Sequence, residues 1–347
     1  MKKTMRIMSE APLNAETPID NLQSWITSNE VFFKRNQEMI MTSPVALESW
    51  RLSIQGLVKK TTLLSFSDIL SMTKVEVANT LECSGNGRSL LRDKAPGNPW
   101  TIGGVGNAVW GGVRLSDVLA RAGIMPEVRH VGFEGLDNPL TAGTVKFIRS
   151  IPVEKAMDST ILAYEMNGEP LPLEHGYPLR ALALGWTGAN CVKWLSKISL
   201  LDQPVAGFFM DNVYRIFQKG EEPGSGKVVT AIPLKSIITS PANGAALAGG
   251  IVVIRGAAYA GEADIATVEV SVDDGLTWHA AEFIGPHQRY AWRRWEYSWI
   301  ASATGKYTLL ARATDDRGQI QPMSASWNVL GYGNNGSREH AITVIIR

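Results

Sequence analysis

The segment Leu81-Glu82-Cys83-Ser84-Gly85-Asn86-Gly87-Arg88 carries the densest chemistry in the chain. A cysteine follows an apolar run and precedes a turn of small residues closed by an arginine. The thiolate is the form of cysteine that binds a metal or attacks an electrophile, and a nearby guanidinium favours it. Gly85 and Gly87 let the main chain approach a bulky group, and successive N–H groups in such a turn can face an anion. A second reading stands beside this one, because a free cysteine is often a small apolar core residue. The other cysteine is Cys191, and Cys-x-x-Cys does not occur, so zinc, iron–sulfur and covalently attached c-type haem have no support.

Elements to position this turn are visible on both sides of it. Trp50 to Ile54 and Val75 to Leu81 read as strands. Helical patterns begin at Ser67 to Leu70 and at Leu115 to Ala122, where Ser116 is the expected N-cap and Gly123 the stop. Short strands mixed with helices predict an α+β unit. From 218 to 227, Gln-Lys-Gly-Glu-Glu-Pro-Gly-Ser-Gly-Lys has the composition of a connector, which divides the chain into residues 1–226 and 227–347. Beyond it the period becomes two. Val268, Val270 and Val272 alternate with Glu269 and Ser271, and Asp273-Asp274-Gly275 turns the chain into Leu276-Thr277-Trp278. A second pass runs through Tyr307, Leu309 and Ala311 to a turn at Asp315 to Gly318. With no helical pattern after Val228, the second unit is predicted to be a β-sandwich with an immunoglobulin-like pattern.

Composition sets the outer limits. A chain of 347 residues favours two domains, and 45% apolar with 19% charged residues excludes a disordered or fibrous chain. The 34 basic and 33 acidic residues leave a net charge of +1, which excludes a general nucleic-acid surface while allowing a local basic pocket. No run of 18 apolar residues is present, so no membrane span is expected. The start, MKKTMRIMSEAPLN, lacks the apolar core of a signal peptide. The expected location is therefore cytoplasmic as the sequence stands, or periplasmic if a leader has been removed.

Cys-Ser-Gly-Asn-Gly-Arg at 83–88 resembles the Cys-x-Gly-Asn-x-Arg segment of the sulfite oxidase family of molybdenum enzymes, closer to its bacterial branch of sulfite and sulfane dehydrogenases. Four further segments agree in order: Phe-Phe-Lys-Arg-Asn at 32–36, Leu-Ala-Tyr-Glu-Met-Asn-Gly at 162–168, His-Gly-Tyr-Pro-Leu-Arg at 175–180 and Gly-Ala-Asn-Cys-Val-Lys-Trp-Leu at 188–195. Ser271 to Trp278 resembles the family's hairpin and Ala291-Trp292-Arg293 its arginine loop, so the resemblance runs from about residue 30 to the end. It implies a mixed α+β molybdopterin domain followed by an immunoglobulin-like sandwich that pairs two copies into a homodimer. It also implies one molybdenum held by one pterin dithiolene, two oxygens and the Cys83 thiolate; a soft thiolate suits that role.

By the same resemblance, Arg35, Arg88 and Arg293 match the anion-pocket arginines, and Tyr164 matches the tyrosine beside the metal. Asn36, His175, Arg180 and Lys193 are matched to the cofactor, helped by backbone amides around Gly188. Cys191 matches no role. The plainer alternatives are a solvated surface place for each arginine, half-buried packing for Tyr164 and a backbone-bonded loop histidine for His175. The activity implied is oxidation of sulfite, or a related sulfur oxyanion, to sulfate by oxygen-atom transfer. With no haem-binding Cys-x-x-Cys-His, electrons would leave to a separate c-type cytochrome. Two departures stand out: Asn190 replaces the arginine of animal and plant sulfite oxidases, and Gln37 stands where a histidine often follows Arg-Asn. The alternatives are a relative acting on nitrate or a sulfoxide, and a non-catalytic scaffold.

Overall fold

The computed structural model describes residues 4–37, 39–139, 143 and 145–347. After a short hairpin of Arg6–Glu10 and Leu13–Glu16, the chain forms β1 (Arg51–Gly56), β2 (Thr62–Ser65), α1 (Phe66–Leu70), β3 (Lys74–Glu82), β4 (Val105–Arg114) and α2 (Leu115–Ala120). Then come β5 (His130–Gly135), β6 (Ile148–Pro152), α3 (Val153–Ser159), β7 (Thr160–Met166), β8 (Glu169–Pro170), β9 (Arg180–Ala183), β10 (Leu195–Leu201) and α4 (Phe208–Asp211). One sheet has the order β6-β5-β10-β1-β2, with β10 parallel to β1 and the other pairs antiparallel. The other has the order β8-β7-β4-β3, with β9 also paired to β7.

Local chemistry accounts for the short helices. The Ser65 side chain accepts from Asp68 N at 3.1 Å while Asp68 Oδ2 accepts from Ser65 N at 2.7 Å, a reciprocal cap at the start of α1. For α2 the expected Ser116 cap is not found. β4 runs straight into the helix, so the extended residue at its start is Arg114, with no side-chain cap bond. The register is set by burial of Leu115, Val118 and Leu119, at i, i+3 and i+4. Gly123 does close the turn, at φ +70°.

β3 starts with exposed Lys74 and Glu76 alternating with half-buried valines, then is buried without interruption from Ala78 to Glu82. Its outer edge is covered: Thr80 N donates to the Tyr290 carbonyl at 2.8 Å.

Residues 217–226 link two short paired strands, Arg215–Ile216 and Lys227–Val228. Next come β11 (Lys235–Ser240), β12 (Ala245–Leu247), β13 (Gly250–Tyr259), β14 (Ile265–Ser271), β15 (His279–Ala280), β16 (Glu282–Ile284), β17 (Arg293–Ala301), β18 (Gly305–Asp315) and β19 (Ile342–Ile346). They form sheets of order β11-β13-β17-β16 and β12-β19-β18-β14-β15. Ile254, Trp295 and Trp299 from one sheet meet Val268, Val270 and Leu309 from the other in a common core. The turn after β14 follows the sequence pattern, with Asp274 and Gly275 at φ +61° and +88°. The chain is thus mostly β, with four α-helices of four to seven residues among the described residues.

Main chain and buried charge join the two halves. A Cβ on Gly185 would stand 1.7 Å from the Gly261 carbonyl oxygen, so only glycine fits there. Glu82 Oε1, at the end of β3, accepts from Lys235 Nζ at 2.6 Å, Tyr259 Oη at 2.9 Å and Asn86 Nδ2 at 2.9 Å.

Candidate active site

Cys83 leaves the end of β3, where Glu82 is still paired with Val105. Its N–H donates to the Gly104 carbonyl at 2.8 Å and its carbonyl accepts from Asn86 N at 2.9 Å, which fixes the thiol between a strand end and a tight turn. The turn needs glycine at 87, where φ is +82° and a Cβ would lie 3.0 Å from Asn334 Nδ2. Cys83 is 9% exposed and lines a cleft of about 770 Å³, counting the part open to solvent.

Five of the other expected residues share this cleft: Arg35, Asn36, His175, Arg180 and Lys193. Asn36 is held by its N–H on Asn14 Oδ1 (2.8 Å) and its Nδ2 on the Leu13 carbonyl (2.7 Å). Its Oδ1 accepts from Lys193 Nζ, which also donates to the Glu174 carbonyl at 2.9 Å. Burial, together with the Arg180 and Arg35 cations, pushes the Lys193 pKa well below its usual value. The turn Leu173–His175 ends at Gly176, φ +112°, where a Cβ would crowd Lys193 Cα at 3.1 Å. His175 packs edge-on against Phe32, with ring centroids 5.5 Å apart. Burial first, and Arg180 second, hold it neutral, and its Nε2 is buried without a partner. Arg180, at the start of β9, donates from Nη1 to the His175 carbonyl at 2.9 Å and lies 5.0 Å from the Trp110 ring centroid. Its Nε is unpartnered, and burial lowers its pKa to about 10, so it remains charged at neutral pH.

Three expected residues lie elsewhere. Tyr164 does not reach the cleft, and the period of two in β7 is the reason. Ile161 and Ala163 face the cluster that includes Cys83, whereas Leu162 and Tyr164 face the opposite core, where Tyr164 meets Phe66 edge-on. Arg293 opens β17, opposite Ala258, and its guanidinium stacks on Phe283 at 4.2 Å within the sandwich. Arg88 lies behind the cysteine turn. Its Nε donates to the Leu330 carbonyl and its Nη1 to the Asn98 carbonyl, both at 3.0 Å, and it faces the Tyr332 ring at 5.4 Å.

Sequence reasoning missed three residues at or behind this wall. Asp137 lines the cleft and is buried, which raises its pKa. Tyr214 also lines it; its hydroxyl accepts from Gln37 Nε2, and its φ of +56° is uncommon for a bulky residue. Its ring stacks on Tyr332 with centroids 5.4 Å apart, and the Arg149 guanidinium lies 5.3 Å from the Tyr214 ring centroid. No motif marks Tyr214 or Arg149; the left-handed backbone at 214 is visible only in the fold. The second half therefore reaches the wall through Tyr332, not through Arg293.

Arg35 and Arg180 give the cleft the cations that a small oxyanion or a phosphate requires, and Lys193 Nζ adds a further donor. Among the described residues, no group of three or more His, Cys, Asp or Glu side chains is arranged to hold a metal. A metal at Cys83 therefore needs further ligands from a non-protein group. The unpartnered Arg180 Nε and His175 Nε2, with the Asp137 carboxyl, suit a polar heterocycle carrying such ligands and a phosphate.

Comparison with known proteins agrees with this chemistry. Residues 40–209 match the family model "Oxidoreductase molybdopterin binding domain", and residues 226–344 match "Mo-co oxidoreductase dimerisation domain". The chain is 35% identical to the mitochondrial sulfite oxidase of Rattus norvegicus, over 98% of this chain and 66% of that protein, so it spans just under two thirds of that relative. It is 32% identical to the sulfite oxidase of Arabidopsis thaliana, over 95% of this chain and 92% of that protein. Among solved structures, the sulfane dehydrogenase SoxCD from Paracoccus pantotrophus is similar with a TM-score of 0.84 and 29% identity, covering 96% of this chain and 87% of that one.

Proposed function

Because the chain belongs to the sulfite oxidase family of molybdopterin-binding oxidoreductases, we propose that it oxidises sulfite, or a related small sulfur oxyanion, and passes the electrons to a separate c-type cytochrome. The observation that carries this reading is the meeting of Cys83 with Arg35, Arg180 and Lys193 in one cleft. The molybdenum–molybdopterin cofactor of this family supplies, when bound, two-electron chemistry and oxygen-atom exchange.

The chain's own residues bind and orient. Cys83 is the protein's thiolate ligand to the metal. Arg180, His175, Lys193 and Asn36 hold the pterin and its phosphate: the Arg180 Nε donor and His175 Nε2 find no partner within the protein, and Asp137 accepts from ring N–H groups. Arg35, held by Asn14 Oδ1 at 3.3 Å, offers the substrate a guanidinium at the same wall. The Tyr214 hydroxyl takes the place beside the reacting centre that Tyr164 was expected to fill. Arg88 supports the cysteine turn from behind through the Leu330 and Asn98 carbonyls. Fixed cations of this kind favour an oxyanion without reorganising during the reaction.

We further assign residues 1–226 to the cofactor-binding unit and 227–347 to an immunoglobulin-like sandwich through which two copies pair. Ile251 and Ile300, opposite one another across β13 and β17, are 76% and 72% exposed and support an apolar contact there.

The test uses protein produced in a host that makes the molybdenum cofactor. Wild-type protein is expected to contain molybdenum and to reduce cytochrome c in the presence of sulfite. Cys83→Ser is expected to fold and to lose more than about a hundredfold of that activity. Full activity in Cys83→Ser, or wild-type protein without molybdenum by elemental analysis, would end the reading.

A further inference from the structure

Arg149, in β6, is 0% exposed, yet no carboxylate among the described residues pairs with it. Its acceptors are neutral: Nη1 donates to the Phe209 carbonyl and Nη2 to Asn190 Oδ1 at 3.0 Å, while Nε has no partner. Burial lowers its pKa only to about 10, so the side chain is cationic at neutral pH. An unpaired buried cation is costly to a fold. Here it stands one side chain behind the cleft: Tyr214, whose ring centroid is 5.3 Å from Cζ, and Ala189, next to its acceptor Asn190, both line the cavity.

The identity of residue 190 gives this geometry its meaning. The Asn190 side chain points its oxygen at Arg149 and its Nδ2 at the Val229 carbonyl, 3.1 Å away. An arginine at 190, as in the animal and plant sequences that this segment resembles, would set a second guanidinium against the first. Asparagine accepts from it instead. The positive charge therefore comes to the same wall from the strand β6 rather than from the turn at 188–190.

We propose that Arg149 is a positioning residue that governs how tightly the cleft holds a small sulfur oxyanion, acting through Tyr214, and that Asn190 is the acceptor that aims it. This inference rests on the proposed function and specifies which residues set its anion affinity. The anion concerned is substrate or product, rather than the phosphate of the pterin.

The holoenzyme is compared as wild type, Arg149→Gln and Arg149→Gln with Asn190→Arg. Two quantities are read beside turnover: the dissociation constant for sulfate, from quenching of tryptophan fluorescence, and the pterin and molybdenum content. Arg149→Gln is expected to weaken sulfate binding about tenfold, with the kinetic loss falling on KM for sulfite more than on kcat. Returning the cation at 190 is expected to restore sulfate binding to within about threefold of wild type. If Arg149→Gln does not fold, Asn190→Ala serves in its place, since it keeps the cation but releases its aim; a several-fold loss of sulfate binding is then expected. Unchanged sulfate binding in the single variant, failure of the second charge to restore it, or loss of pterin with sulfate binding intact overturns the inference. A wild-type enzyme that contains molybdenum but oxidises no sulfite defeats the proposed function instead.

Discussion

His340 donates from Nδ1 to the Gly336 carbonyl at 2.8 Å and buries Nε2 without a partner. Burial, and after it the Lys235 cation, hold its pKa down to about 3. A histidine in an unfolded chain titrates near about 6.5. The folded value is the lower, so between about pH 6.5 and 3 the unfolded chain binds the extra proton, and stability is lost as pH falls through that window. His340→Gln is expected to flatten the decline by up to about 1.4 kcal/mol per pH unit, measured by urea unfolding at pH 7, 6 and 5; equal slopes for variant and wild type would refute it. Single residues also mark how far the sequence could be read. Loop motifs pointed to Cys83, Asn36, His175, Arg180 and Lys193, which share one cleft because loops at strand ends converge there. Tyr164 sits in an equally clear motif, but a strand reverses face at every residue, and nothing in the motif says which face is inward. Arg149 and its acceptor are 41 residues apart, so their pairing has no local signature.

At the level of elements, the last residue of β3 and the first of β11 form a buried ion pair, Glu82 with Lys235. Tyr259 and Asn86 complete the shell around the carboxylate, and burial together with that carboxylate raises the Tyr259 pKa well above its usual value, which keeps its hydroxyl a donor. Removing one partner strands the other charge. Lys235→Met is expected to cost about 3–5 kcal/mol in denaturant unfolding, and adding Glu82→Gln to recover most of that loss; a single variant as stable as wild type would show that the pair does not hold the halves together. Periodicity was a sound guide to the β14 hairpin, where Val268 and Val270 enter the core on either side of half-buried Glu269. It was a poor guide to the inner half of β3, because residues 78–82 are covered on both sides by distant segments and alternation is lost. The start of α2 was misjudged for a different reason: burial of Leu115, Val118 and Leu119 sets the register of the helix, and the residue this leaves at its start is Arg114, whose side chain makes no cap bond.

For the whole molecule, pairing through the sandwich predicts that Ile300→Lys shifts the mass in solution from dimer to monomer, measured by light scattering, while one copy's fold is retained. A variant that stays dimeric would move the contact away from β13 and β17. Within one copy, the C-terminal segment already closes the cysteine turn: Asn334 Nδ2 donates to the Gly87 carbonyl at 2.7 Å, Gly333 N to the Ser84 carbonyl at 2.9 Å, and Tyr332 backs Tyr214. Residues 332–334 are thus a latch on the turn that carries the thiol. The thiol loop is complete only once the second half has docked: a chain cut between the halves is expected to leave Cys83 open to alkylation, because the donors that close its turn come from residues 333 and 334.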